Sequence, residues 1–225
     1  MPQLDLHTHS RIPITSVISV LDGSWLSIRA AARPIVRQIG QAVLTGGAVN
    51  SLSYNTAEEL LRYAGTATDF WILELAEHFR LYDAGRFPQF NGLQYLNGVL
   101  GYASIDQRAS GHVTASFAEA ICPWVLERVG LAQIEDVYRL RRLQPSDLRL
   151  VADFVFYHQD GTLDTCEVKS AWRIRYLSSR ALQAGVVQVA NAMKTLNLEV
   201  GHLMIGIGSP GPGRRYRADM FEFFR

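Results

Sequence analysis

Residues 148–170, LRLVADFVFYHQDGTLDTCEVKS, constrain this chain more than any other stretch, because two strand-like runs flank the turn sequence HQDG. Side chains alternate between the two faces of a strand, so loop length decides which residues meet. A two-residue loop, Asp160-Gly161, pairs Gln159 with Thr162 and puts Asp153 and Glu167 on opposite faces. A three-residue loop, Gln159-Asp160-Gly161 with Gly161 left-handed in a G1 bulge, pairs His158 with Thr162 and sets Asp153 opposite Glu167. Burial favours the second register. It gathers Phe154, Phe156, Cys166 and Val168 on one face fit for a core, and leaves Asp153, Glu167 and Lys169 on the other. The first mixes charges with phenylalanines on both faces.

Two opposed carboxylates repel unless a cation sits between them. A divalent ion with oxygen ligands, such as magnesium, is the natural filler. An ammonium one pleat further on, Lys169, is placed to hold or activate water that attacks a phosphorus. The plainer alternative is a surface Asp-Glu-Lys cluster in which the lysine neutralises one acid.

The surrounding pattern is a mixed α/β core. A helix over roughly 115–129 ends at Gly130, and the strand pair follows. A second helix runs from about Ser179 to Leu196, VGHLMIGIG reads as a buried strand, and YRADMFEFF as another. Upstream, residues 15–105 are mostly helical in pattern: SWLSIRAAARPIVRQIGQAVL with Pro34 interrupting it, NTAEELLRYAG, TDFWILELAEHFRLYDAG and, weakened by three glycines, FNGLQYLNGVLGYASI. The composition shift near residue 110 divides a helical N-terminal region, 1–110, from a core, 111–225. The first part is expected to recognise substrate or a partner.

Charge narrows the function classes little. A net charge of +1 advertises no polyanionic partner over the whole surface. Of 22 basic residues, however, only Lys169 and Lys194 are lysines. Arginines group at Arg139, Arg141 and Arg142, at Arg173, Arg175 and Arg180, and at Arg214, Arg215 and Arg217. Arginine forks onto phosphate oxygens better than lysine does; a genome that favours arginine codons gives the same bias. Cys122 and Cys166 supply neither a disulfide framework nor a zinc site. No apolar run approaches a membrane span, and the expectation is a cytoplasmic protein.

Asp153 followed, across a hairpin, by Glu167-Val168-Lys169 resembles the motif of the PD-(D/E)xK nucleases, the restriction-endonuclease-like superfamily. FAEAICPWVLERVGL, with Glu119, is similar to the glutamate-bearing helix of its Holliday-junction-resolvase-like branch. The resemblance covers roughly residues 111–208 and implies an α-β-β-β-α-β core, a mixed sheet flanked by helices. Ala152 stands where the motif has proline. The resemblance implies that Asp153, Glu167 and the backbone carbonyl of Val168 bind Mg2+, with Mn2+ able to substitute. Lys169 would position the water, and Glu119 would serve a second metal or orient water. Glu119 also fits a capping box begun by Ser116, in which it merely returns to the cap amide. Gln188 either faces the site or is a solvated helix residue.

Two further motifs point elsewhere. DLHTHS, residues 5–10, resembles the opening of PHP-type phosphoesterases, with His7 and His9 at workable ligand spacing on a strand. Only His78, His112, His158 and His202 remain, and none lies in an Asp-His or His-Pro pair, so the segment reads as a partly exposed N-terminus. GIGSPG, residues 206–211, matches G-x-G-x-x-G, but PGPGRRYR cannot promptly start the helix a phosphate site needs. The expectation is therefore a Mg2+-dependent nuclease acting on DNA, in bacterial defence or DNA processing, as a homo-oligomer or with a partner protein that delivers substrate. The rival is an inactive nuclease-fold subunit that binds nucleic acid or scaffolds a complex.

Overall fold

The computed structural model describes residues 3–53, 107–133, 136–139, 152–171, 173–208 and 215–225. In chain order its elements are β1 (Gln3–Thr8), β2 (Ile12–Pro13), α1 (Thr15–Ile18), α2 (Trp25–Thr45) and β3 (Ala48–Ser53), then α3 (Gln107–Arg128), β4 (Val137–Arg139), β5 (Phe154–Tyr157), β6 (Leu163–Ala171), α4 (Ser179–Thr195), β7 (Val200–Ile207) and β8 (Arg215–Phe224). A 3-10 turn, Ile174–Tyr176, leads from β6 into α4.

The hairpin takes the three-residue register. His158 N–H donates to the Thr162 carbonyl at 2.9 Å, Gly161 has φ +80°, and Phe154 pairs with Cys166. Asp160 closes the loop by accepting from the Thr162 amide at 2.9 Å and its hydroxyl at 2.6 Å. The Thr162 hydroxyl, then the Thr162 amide, hold the pKa of that carboxyl below its ordinary value.

All described strands join one mixed sheet in the order β3-β1-β8-β7-β6-β5-β4, with β2 also pairing β8. β6 and β7 run parallel, connected through α4; β5–β6 and β7–β8 are antiparallel. One face is covered by α3, whose Ile121, Cys122, Trp124 and Val125 pack with Phe154, Phe156, Cys166, Val168 and Met204. The other is covered by α1, α2 and α4, which bring Ile35, Ile39, Val186 and Val189 to Leu203, Ile205 and Phe221. Each such side chain contributes about 1.5–3 kcal/mol when removed from water. Both α2 and α4 start at serine caps: Ser24 accepts from the Ser27 amide at 3.2 Å and Ser178 from the Ala181 amide at 3.1 Å. Pro34 sits on the exposed side of α2 and does not end it.

Three expectations change. Residues 3–53 are not mostly helical: beside α1 and α2 they supply β1, β2 and β3. β1 pairs with β8 in parallel and with β3 in antiparallel fashion, so the sheet draws strands from both sides of the composition shift. The reason is local: LDLHT alternates apolar and polar residues, and Leu4 and Leu6 are fully buried. The helices expected between residues 54 and 106, like the strand start at 148–151, lie outside the described residues. Finally, α3 begins at Gln107 rather than near residue 115, so Ser116 and Glu119 lie inside the helix and the capping box does not form.

Candidate active site

Asp153 immediately precedes β5. Where the β5 ladder stops at Phe154, the Val168 N–H donates to Asp153 Oδ2 at 3.0 Å. Continuing the register by one pair sets Asp153 across from Glu167, a separation of about 5 Å between Cβ atoms in antiparallel sheets. Glu167 is 0% exposed and Asp153 4%. The cluster is therefore buried rather than on the surface, because β6 is an inner strand and α4 lies over this face, although Lys169 does neutralise Glu167 as that alternative has it.

Lys169, two residues along the same face, donates from Nζ to Glu167 Oε1 and, at 2.9 Å, to Gln188 Oε1. Its side chain is 19% exposed, so the ammonium reaches the margin of solvent. α4 makes this arrangement possible at two positions. A Cβ on Gly185 would stand 3.0 Å from Leu203 Cδ1 and 3.2 Å from Lys169 Cγ, so glycine leaves room for the lysine stem. Gln188 is one helical turn further on and buried, with its amide turned to the lysine rather than to water. The solvated alternative for Gln188 is overturned. A glycine followed at i+3 by a glutamine within the otherwise apolar run AGVVQVA, residues 184–190, was the available sequence signal for both.

Glu119 is on the helix that covers the opposite face. Its neighbour Ala118 meets Gly206, where an added Cβ would come within 3.0 Å, and Gly206 pairs with Ser170. The turn carrying Glu119 is thus level with the site but across the sheet from it. Among the described residues no three His, Cys, Asp or Glu side chains gather to hold an ion. Asp153, Glu167, Lys169 and Gln188 come together, and Glu119 is carried by α3, the helix over the other face. Asp153 and Glu167 are hard oxygen donors, the kind magnesium takes one or two of while keeping several waters.

The histidines of DLHTHS have other partners. His9 Nε2 lies 2.7 Å from Asp219 Oδ1, and its ring stacks on Phe221 at 4.3 Å. Arg217 donates to Asp219 through Nε at 2.7 Å and Nη2 at 2.6 Å, and to the Val43 carbonyl at 2.7 Å, tying β8 to the last turn of α2. His7 Nδ1 accepts from the Gly47 amide at 3.4 Å, and burial, then the Arg217 charge, lower its pKa. The segment is an inner strand that stays partly exposed: Leu6 is buried, Asp5, His7 and His9 are half-buried, and Thr8 and Ser10 are exposed. Lys169, Ile205, Asp219 and His7 form one row across the sheet, so Asp219 shares the site's face but lies two strands, about 10 Å, from Lys169.

Two further clusters left no signal in the sequence. Asp164 Oδ2 lies 3.2 Å from both His158 Nε2 and His202 Nδ1. The sulfurs of Cys122 and Cys166 are 3.7 Å apart and unbridged, and burial pushes the Cys166 thiol well up. Arg141, Arg142, His78 and residues 209–214, expected to form a loop and including Arg214, lie outside the described residues. Among the described residues no helix is long and apolar enough to cross a membrane. No family model, curated protein or solved structure matches the chain.

Proposed function

We propose that the protein is a magnesium-dependent nuclease of the PD-(D/E)xK kind that hydrolyses DNA phosphodiester bonds. One observation carries the reading: two acids from adjacent strands are buried on a single sheet face, with a lysine ammonium bound between one of them and a buried glutamine. Such a pairing of acids is unfavourable without cationic compensation. The order α3, β4, β5, β6, α4, β7 supports the resemblance, since it runs helix, three strands, helix, strand.

Asp153, Glu167 and the Val168 carbonyl would hold Mg2+, or Mn2+ in its place. The ion would supply Lewis-acid charge at the scissile phosphate. The Val168 amide fixes the orientation of the Asp153 carboxylate. An ammonium has three donors, and Glu167 and Gln188 take two of those of Lys169. The third is directed to the attacking water or to a phosphate oxygen, and Lys169 can move a proton there. Gln188 positions that ammonium.

Supercoiled plasmid incubated with Mg2+ or Mn2+ tests the reading. The parent should nick or linearise it, while Asp153→Asn should lose cleavage and keep or gain stability in EDTA. Cleavage by Asp153→Asn at the parental rate, or full activity in EDTA, would sink the metal role. A parent that binds DNA and never cuts it would be the inactive subunit instead.

A further inference from the structure

Arg29, Arg33 and Arg37 stand four residues apart on α2, and all three are exposed. Four residues are 6 Å of helix rise, so the guanidiniums spread about 12 Å along one side. Like charges at this spacing destabilise a helix, and α2 offers no acid to relieve them: from Gly23 to Ala57 the chain has none. α4 lies alongside, its Gln183 Nε2 donating to the Arg29 carbonyl at 3.2 Å. Arg180, one turn earlier on α4, is exposed, as are Arg173 and Arg175 around the 3-10 turn. Residues 172–198 also contain no acid, and the nearby Asp22 is bonded to Lys194 at 2.5 Å. Tyr176 is 58% exposed under the Arg175 guanidinium, 4.9 Å from the ring centroid. These elements cover the sheet face to which Glu167 and Lys169 point, and Arg173 follows Lys169 by four residues.

We propose that this arginine face, Arg29, Arg33 and Arg37 with Arg173, Arg175 and Arg180, is the track that receives the phosphate backbone of duplex DNA. Among the described residues, α2 and the stretch 173–198 bring no acid to this face, and guanidinium is the fork that suits phosphate oxygens. The inference rests on the nuclease reading for what stands at the end of the track, Lys169 and Glu167, and not for the binding itself.

The test is fluorescence anisotropy of a short labelled duplex across a salt series in EDTA, where no cleavage is expected. Each lost phosphate contact reduces the slope of log K against log salt by about 0.9, so Arg29→Gln/Arg33→Gln/Arg37→Gln should flatten it by about 2.7. The same relation lowers affinity by about 500-fold at 0.1 M salt relative to the 1 M extrapolation. Arg128→Gln removes one exposed charge from α3, across the sheet, and should leave the slope as it is. An unchanged slope in the triple variant overturns the track, as does a parent that binds phosphatidylserine vesicles but no duplex. A protein that never cuts, yet shows the flattened slope, keeps the track and loses the nuclease. One that cuts with an unaltered slope does the reverse.

Discussion

Replacing Lys169 by methionine removes an ammonium and little else, because the stem beneath Gly185 keeps its length. Glu167 is fully buried and loses the cation bonded to it. Breaking one side of a buried charge pair costs about 3–5 kcal/mol. Lys169 is 19% exposed, so water reaches its end of the pair, and the expected loss is at the lower limit, about 3 kcal/mol. Glu167→Gln in the same chain should restore much of it, giving a coupling of about 2 kcal/mol in a double-mutant cycle. Magnesium should act in the same sense. A cation held by Asp153 and Glu167 takes over the compensation that Lys169 provides, so it should stabilise Lys169→Met more than the parent. Ligand at a hundredfold its Kd adds about 2.7 kcal/mol, enough to offset most of the deficit. Urea unfolding of parent, both single variants and the double variant, in EDTA and in Mg2+, measures every quantity. The reasoning is refuted if Lys169→Met matches the parent in EDTA, or if Mg2+ protects both equally.

Lys169→Arg keeps the charge but brings a planar fork that stays protonated in place of the compact ammonium shared by Glu167 and Gln188. Single-turnover cleavage at saturating enzyme and Mg2+ should fall by roughly 10²-fold or more; a near-parental rate would leave Lys169 as an electrostatic neighbour only. His7, whose pKa is held below 6.5 chiefly by burial, contributes stability that is fully present above that pH and lost as pH falls through the lowered folded value. Urea midpoints taken from neutral pH downward should therefore drop less steeply in His7→Ala, whose Mg2+-dependent cleavage should stay within a few-fold of the parent; parallel pH curves would rule out the titration.

The sequence by itself determined the hairpin register, because alternation and the left-handed need of Gly161 act within a few residues. It likewise determined the order of helix and strand through the core and the placing of Asp153, Glu167 and Lys169 on one face. Tertiary structure alone decided that this face is buried, since that depends on β6 being an inner strand beneath α4. It also decided that Gln188 turns inward to Lys169, and that Glu119 lies across the sheet. The N-terminal strands follow the same division: alternation in LDLHT is local, but its place beside β8 is not. His9 meets Asp219 across 210 residues of chain, a separation over which spacing carries no information and only the closure of the sheet brings the two side chains together.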